Sequence, residues 1–236
     1  MDVFCRREIK YLITQQQRQT LEAEFAAHMA PDKFAHSSIR NIYYDTPDFR
    51  LIRHSLEHPV YKEKIRLRCY GDGNAEVFLE MKKKYKGIVY KRRMILREPQ
   101  AEAFMAGQGS LPDTQIGREL TYFRDFYKNL RPQVFLSYER DSWIGTHDPG
   151  LRITFDEQIQ YRTTDLHLTT ISDGEHILAP GMVLMEVKAE NAIPLWLTGL
   201  LAKQKISKTS FSKYGRAYER QLKRKINEKR GYLYVG

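Results

Sequence analysis

Cysteine is scarce in this sequence. The 236 residues include only Cys5 and Cys69, too few for a disulfide framework. Long hydrophobic runs are missing as well, since the longest apolar-leaning stretch, 194–202, falls far short of the roughly 20 residues that a membrane span needs. The start of the chain has no apolar segment of the signal-peptide type. We therefore expect a soluble, cytoplasmic protein without a membrane segment, whose cysteines are reduced thiols in strands.

The familiar catalytic motifs are also missing. The seven histidines are scattered and form no HExxH pattern, and the sequence contains no Walker A, GxSxG or CxxC motif. These absences argue against a P-loop nucleotide site, a serine hydrolase and a zinc protease. No linker, low-complexity tract or internal repeat divides the chain, and 42% hydrophobic residues suffice for a sizeable core. We therefore expect one domain over residues 1–236.

Positive charge is abundant and unevenly distributed. The chain has 39 Lys and Arg against 29 Asp and Glu, a net charge of +10. Segment 60–97 carries +8 and segment 203–230 carries +9, which leaves −7 for the rest. Such local basic character is what an anion-binding site requires. The helical pattern at 214–230 predicts a basic helix, and for its part 220–230 we favour a solvent-facing charged surface, whereas the first segment alternates in a way that suggests a site.

Period-two alternation dominates the chain and predicts β-strands. A helix is expected after Thr14, which can cap it together with Gln17. A second amphipathic helix is expected over 116–130. The run 71–74 (GDGN) tolerates positive φ and predicts a hairpin between the flanking strands. The predicted strands cover 6–13, 40–44, 62–70, 76–84, 88–97, 133–141, 151–158 and 183–189.

The alternation places charged pairs on one face of each predicted strand. In 65–68 (IRLR) one face is aliphatic and the other cationic, because side chains two apart point the same way. Two architectures fit this pattern. One is an open antiparallel sheet whose charged face meets water. The other is an antiparallel barrel whose apolar face is covered by helices and whose charged face lines a tunnel, which the many charged strands and amphipathic helices favour.

Eight short motifs, in this order, are similar to those of a known family. They resemble the VTC domain, the polyphosphate polymerase domain of the vacuolar transporter chaperone family, within the CYTH-like (triphosphate tunnel metalloenzyme) superfamily. The resemblance covers nearly the whole chain. The motifs are 8–11 (EIKY), 41–47 (NIYYDTP), 65–68 (IRLR), 79–82 (LEMK), 138–140 (YER), 152–156 (RITFD), 186–188 (EVK) and 210–214 (SFSKY).

The resemblance implies an α+β fold with an antiparallel β tunnel barrel and flanking helices. It also implies an enzyme that transfers the γ-phosphoryl of ATP onto a polyphosphate chain with Mn²⁺ or Mg²⁺. Five residues are expected to act in transfer as well as binding: Arg66, Arg68, Lys82, Arg140 and Lys213. The other expected phosphate ligands are Lys10, Lys91, Arg93, Tyr138, Arg152, Lys188 and Ser212. Glu186 is the expected metal ligand and Glu80 a weaker one, although either could instead form salt bridges with tunnel cations. Asp45 is expected to order the turn at Thr46.

The sequence departs from the wider superfamily at its first motif. Other tunnel enzymes begin with Glu-x-Glu-x-Lys, whereas 6–10 (RREIK) keeps only Glu8 of the two glutamates, which disfavours a two-metal hydrolytic site. The sensing domain and membrane helices of the eukaryotic polymerase are not in this sequence, so it resembles the stand-alone bacterial type, which leaves room for a membrane partner protein. The alternatives are a tunnel triphosphatase and a non-catalytic polyphosphate-binding module. Nucleic acid is the less favoured partner.

Overall fold

The computed structural model describes residues 7–71, 76–86, 88–169 and 174–232, with side chains up to residue 224. Within these residues it contains six helices and ten strands. The helices are α1 (Gln15–Phe25), α2 (Arg50–Leu56), α3 (Glu98–Met105), α4 (Gln115–Tyr127), α5 (Leu195–Lys203) and α6 (Lys213–Tyr232). The strands are β1 (Arg7–Thr14), β2 (Met29–Asp45), β3 (Tyr61–Tyr70), β4 (Glu76–Tyr85), β5 (Ile88–Arg97), β6 (Arg131–Gly145), β7 (Arg152–Arg162), β8 (Glu175–His176), β9 (Met182–Ala189) and β10 (Lys208–Thr209).

All strands belong to one antiparallel sheet. Its order is β10-β1-β9-β7-β6-β2-β3-β4-β5, with β8 paired to β7. The predicted α+β class is confirmed, and each strand predicted from alternation overlaps an observed one. The hairpin between β3 and β4 is confirmed as well, and Gly71 after β3 has a φ of 66°. Residues 72–74 of the predicted turn lie outside the described residues.

The sheet curves into a tunnel-type shape without a complete ring of backbone hydrogen bonds. Among the described residues, no backbone pairing joins β5 to β1 or β10. Side chains nevertheless bridge the two ends of the sheet, because Lys82 Nζ on β4 lies 3.6 Å from a Glu8 carboxylate oxygen on β1. The charged face is therefore concave, which decides between the two architectures in favour of the tunnel, with a seam closed by side chains instead of strand pairing.

The convex face of the sheet is apolar and covered by four helices. One cluster packs α3 and α4, through Phe104 and Phe123, against Leu67 and its neighbours. A second packs α1 and α5, through Phe25 and Leu197, against β1, β7 and β9. The buried apolar area of both clusters leaves the sheet's other face for polar side chains, as expected for an amphipathic sheet covered on one side.

The concave face is filled at one end by α2 and α6. Tyr214 and Ala217 of α6 are buried there beside Ile52 of α2, in a third apolar cluster. The aromatic and small residues of these first turns pack into the sheet, and the basic segment 220–230, which we expected to face solvent, follows them. Its exposure is seen at Arg220 and 222–224, whereas the side chains of 225–230 lie outside the described residues.

Local signals explain several element boundaries. Thr14 and Gln17 form the predicted capping box at the start of α1. Asp45 accepts hydrogen bonds from the backbone N–H groups of Thr46, Leu51 and Ile52, so it orders the turn and the start of α2 as expected. Cys69 is buried in β3 and unpaired, whereas Cys5 lies outside the described residues. No helix within the described part of the chain has the length and apolarity to cross a membrane.

Candidate functional site

Charged side chains from seven strands and the start of α6 converge on the concave face. We call this set the inner surface. Within the described residues it holds ten cations and four carboxylates, nearly all joined by ion pairs. Its members are Glu8, Lys10, Lys64, Arg66, Arg68, Glu80, Lys82, Lys91, Arg93, Arg140, Asp156, Glu186, Lys188 and Lys213.

Glu80 is the centre of one half of the inner surface. Its carboxylate is 2% exposed and lies 2.7 Å from Arg66, 2.6 Å from Lys91 and 2.5 Å from Arg93. The register explains this contact set, since Glu80 pairs with Arg66 on β3 and with Arg93 on β5. Burial alone would raise the pKa of Glu80, but these cations and Arg68 outweigh it and hold the pKa well below its ordinary value. Glu80 is therefore a permanent anion that fixes four cations.

Three polar side chains hold Arg66 and Arg68 of β3 in place. Arg68 donates to Asn41 Oδ1 at 2.9 Å and to the Tyr138 hydroxyl at 3.0 Å. Arg66 donates to the Tyr43 hydroxyl at 2.9 Å. Burial alone would raise the pKa of Tyr138, but Arg68, Arg140 and Lys213 around it lower the pKa below its usual value. Both guanidinium groups are thus oriented before any ligand arrives.

Asp156 and Glu186 are the centre of the other half. Arg140 donates to both oxygens of Asp156 in a bidentate pair, at 2.5 and 2.7 Å. Lys213 lies between the two carboxylates, hydrogen-bonded to Asp156 and 3.2 Å from Glu186. Burial alone would lower the pKa of Lys213, yet Asp156 and Glu186 raise it above its ordinary value. Lys213 and Arg140 are therefore cations held by buried counter-charges.

The seam between the sheet's two ends is also charged. Lys10 lies 3.4 Å from both Glu8 and Glu186, and Lys188 lies 3.2 Å from Glu186. Burial alone would raise the pKa of Glu186, but Lys213, Lys188 and Lys10 keep it well below its ordinary value. Across the seam Glu8 reaches Lys82. The two halves of the inner surface therefore form one continuous charged surface.

Most sequence-predicted site residues lie on the inner surface, and two lie at its margins. Arg152 is 43% exposed and pairs with Asp32 at 3.6 Å, next to Lys188 in the β7–β9 ladder. Ser212 sits at the start of α6, where its hydroxyl oxygen accepts from the Gly215 N–H and from Lys64. Tyr138 is buried beneath the cations. The structure thus brings the predicted residues together, while their roles with a substrate stay predictions.

Sequence reasoning missed several residues of this surface. Lys64 shares the face of Arg66 and Arg68 by simple alternation, so that signal was present in the sequence. Asp156 and Tyr43 lie within two of the quoted motifs, but nothing in one sequence tells which strands will pair beside them. Asn41 opens the same motif as Tyr43, but its place beside Arg68 follows only from the β2–β3 register.

The carboxylates allow a limited metal site. Within the described residues, no group of three or more His, Cys, Asp or Glu could hold a metal ion. Mg²⁺ and Mn²⁺ are nevertheless often held by one or two carboxylates together with substrate phosphates. Glu186 and Glu8, on the paired strands β9 and β1, both contact Lys10 and fit that donor chemistry. Glu80 lies 2.5–2.7 Å from three cations. The four cations around Glu186 lie farther away, at 3.2–3.6 Å. The closer contacts favour the salt-bridge alternative for Glu80.

Comparison with known protein families identifies the chain's relatives. The VTC domain profile matches residues 5–221, which is most of the sequence. The chain belongs to the VTC domain family. No curated protein sequence matches the chain.

Solved structures agree on the fold of this VTC domain. A candidate adenylate cyclase from Bacillus halodurans superposes with a TM-score of 0.55 at 16% sequence identity, covering 87% of this chain and 92% of its own. A candidate adenylate cyclase from Vibrio parahaemolyticus gives a TM-score of 0.49 at 11% identity, covering 90% of this chain and 97% of its own. At such identities the first match shows the tunnel fold alone. Family and fold together support a phosphate-related activity.

Proposed function

We propose that this protein is a metal-dependent polyphosphate polymerase that transfers the γ-phosphoryl of ATP onto a polyphosphate chain. One observation carries the proposal: in a VTC-family chain, ten cations and four carboxylates converge on one concave surface. Cations in that excess on a curved face suit a phosphate chain with several negative charges. ATP and inorganic polyphosphate are the proposed partners, with a membrane partner protein left open and nucleic acid disfavoured.

Phosphoryl transfer mainly requires positioning and charge stabilisation. In the proposed step, a terminal oxygen of the polyphosphate forms a bond to the γ-phosphorus of ATP. The bond from that phosphorus to the β,γ-bridging oxygen breaks, and ADP leaves with the electron pair. Because the attacking oxygen is already an anion, no protein base is needed. This agrees with an inner surface of cations and carboxylates.

Each inner-surface residue would have a definite part in this step. Arg66 and Arg68 would grip phosphate oxygens with forks that Tyr43 and Tyr138 already orient. Arg140 and Lys213, held by Asp156, would neutralise charge on the transferring group. The more exposed Lys82, Lys91 and Arg93 lie along the β4–β5 side of the surface. There they would bind the more distant phosphates as point charges or forks.

A divalent ion would be held by Glu186 and Glu8 together with substrate oxygens. The chemistry supplied by Mn²⁺ or Mg²⁺ at this position would be positive charge that offsets part of the charge of the phosphate oxygens. Lys10 contacts both carboxylates and would keep them ionised and oriented towards that position.

A polymerase assay tests the proposal directly. Purified protein incubated with ATP and Mn²⁺ should produce long polyphosphate, visible on a gel, and one ADP for each phosphate added. The Arg66→Met and Arg68→Met variants should lose most of that product, while Arg118→Met, on the outer face of α4, should retain it. Release of orthophosphate without polymer would overturn the proposal and point to the triphosphatase alternative.

A further inference from the structure

Lys64 differs from every other lysine of the inner surface in its surroundings. It lies on β3, on the same face as Arg66 and Arg68, and is half-buried. Its Nζ lies 3.0 Å from Ser212 Oγ and 6.0 Å from the centre of the Tyr214 ring. Both partners are neutral. No ion pair joins Lys64 to a carboxylate among the residues that the structure describes.

The charged groups that act most strongly on Lys64 are cations, and the carboxylate of Glu8 lies behind two of them, in contact with Lys10 and Lys82. Lys62 and Arg66 flank it on β3, Lys82 faces it from β4, and Lys10 faces it from β1. The start of α6 contributes only Ser212 and Tyr214. Burial, followed by these cations, lowers the pKa of Lys64 to about 7. Near neutral pH, therefore, the charged and neutral forms of the Lys64 amine have similar populations when no phosphate is bound.

Ser212 can satisfy either form of the amine. Its Oγ accepts from the Gly215 N–H at 3.1 Å, which fixes the hydroxyl at the start of α6. A charged Lys64 donates to the same oxygen, whereas a neutral amine can accept the hydroxyl proton of Ser212 through its lone pair. The contact therefore survives proton loss. No rearrangement of the backbone is needed when the charge of Lys64 changes.

We propose that Lys64 binds a phosphate group of the substrate chain and takes up a proton from the solvent as that phosphate binds. The inference rests on the proposed function, since it assumes that a phosphate chain occupies the inner surface. A phosphate dianion near Lys64 supplies the counter-charge that the protein itself does not provide. The neutral amine then gains one proton and becomes an ammonium, with no other bond made or broken. Affinity for the chain should accordingly fall as pH rises above neutrality.

Calorimetric titration with inorganic tripolyphosphate tests this inference. At about pH 8, in metal-free buffers of different ionisation enthalpy, the heats give the number of protons exchanged on binding. The Lys64→Arg variant keeps a cation that does not lose its proton. The unmodified protein should therefore take up close to one proton more than Lys64→Arg, following from a pKa one unit below the working pH. Comparing the two proteins cancels the protons exchanged by tripolyphosphate itself.

Matched variants separate the outcomes. Lys188→Arg makes the same change at a lysine paired with Glu186, and its proton count should equal that of the unmodified protein. Lys64→Met should bind about tenfold more weakly than the unmodified protein near pH 6.5, with the difference narrowing towards pH 9. Equal proton counts for the unmodified protein and Lys64→Arg would overturn the proposed proton uptake by Lys64 and leave the proposed function standing. Failure of the unmodified protein to bind tripolyphosphate would overturn the proposed function as well.

Discussion

Two regions of the inner surface hold buried cations in opposite ways. In the first, which we call the Asp156 cluster, Arg140 and Lys213 are paired with Asp156 and Glu186. In the second, which we call the Lys64 row, Lys64 faces Lys82 and is preceded on β3 by Lys62, which lies just outside the inner surface. Among the described residues, no ion pair joins Lys62 or Lys64 to a carboxylate. Burial disfavours the charged form of lysine in both regions. The outcome differs because only the Asp156 cluster supplies counter-charges.

The difference indicates how a cationic tunnel can fold without its ligand. Arg140 and Lys213 are held by carboxylates, and their pKa values stay high. Lys62 and Lys64 have lowered pKa values and can shed part of their charge. The pKa values of Lys82 and Lys91 are also lowered, because the one carboxylate that each contacts does not offset burial and the neighbouring cations. The Asp156 cluster is therefore prebuilt, whereas the Lys64 row reaches its full charge when an anion arrives. Variants that remove one member of each region should make this contrast measurable.

The largest effect is expected from Asp156→Asn. This change leaves Arg140 and Lys213 as buried cations with only Glu186 between them, so stability should fall by about 3–5 kcal/mol. Urea unfolding measures the loss. Asp32→Asn is the control, because Asp32 pairs with the partly exposed Arg152 and should cost no more than about 1 kcal/mol. Equal losses for the two variants would contradict the prebuilt character of the cluster.

Removing a lysine should change the stability of the folded protein in opposite directions in the two regions. Lys213→Met leaves two buried carboxylates short of a cation and should destabilise the ligand-free protein by several kcal/mol. Lys64→Met removes a cation on which other cations act most strongly, so it should stabilise the ligand-free protein by on the order of 1 kcal/mol near neutral pH. Thermal and urea unfolding of both variants check the signs. A loss of stability in Lys64→Met would contradict this account, because it would mean that a negative charge stabilises Lys64.

The pH dependence should sharpen the contrast. The pKa of Lys64 is about 7 in the folded protein and 10.5 in the unfolded chain. Between these values the unfolded chain binds more protons, so this group's contribution to stability rises with pH. The advantage of Lys64→Met should therefore be greatest near pH 7 and vanish towards pH 10.5. The pKa of Lys213 is raised instead, so this lysine stabilises the folded protein fully at every pH below its unfolded pKa of 10.5. The loss of stability in Lys213→Met should therefore stay constant between pH 7 and pH 10.5. Urea unfolding at several pH values compares the two slopes.

The smallest effect is expected for tripolyphosphate binding at the margin of the inner surface. Arg152→Met should weaken tripolyphosphate binding only a few-fold, because Arg152 is partly exposed and pairs with Asp32. Arg68→Met should weaken binding far more, since Arg68 is buried and oriented by Asn41 and Tyr138. Fluorescence or calorimetric titration orders the two variants. A larger loss of affinity in Arg152→Met than in Arg68→Met would mean that tripolyphosphate binds mainly at the margin of the inner surface, near Arg152.

The charged face of the tunnel was predictable, but the pairing within it was not. Alternation alone placed Arg66 and Arg68 on a common face, and it also applied to Lys64, which the quoted motif left out by starting at residue 65. The partners of Glu80 depend on the register of three strands, which no single sequence specifies. Hence Glu80 was expected as a metal ligand or an ion-pair partner, and its contacts favour the second.

Short and dual-purpose helices explain the remaining differences. The sequence analysis named no helix at α2, α3 or α5, which span nine residues or fewer and show little helical periodicity. α6 combines a buried beginning with an exposed basic continuation. Its charges over 220–230 indicated the exposed part, but no single sequence specifies that Tyr214 stacks on Tyr43 at 4.5 Å inside the concave face.

The most direct test of the central claim is the stability of the protein with and without a phosphate chain. Inorganic polyphosphate at a hundred times its dissociation constant should stabilise the folded state by about 2.7 kcal/mol. RNA at the same phosphate concentration and physiological salt should stabilise it much less, because its phosphates are spaced by sugars and its binding falls steeply with salt. Stabilisation by polyphosphate that disappears in Arg68→Met is the predicted result. No stabilisation by polyphosphate, or a stronger effect of RNA, would contradict the claim that the inner surface binds a phosphate chain.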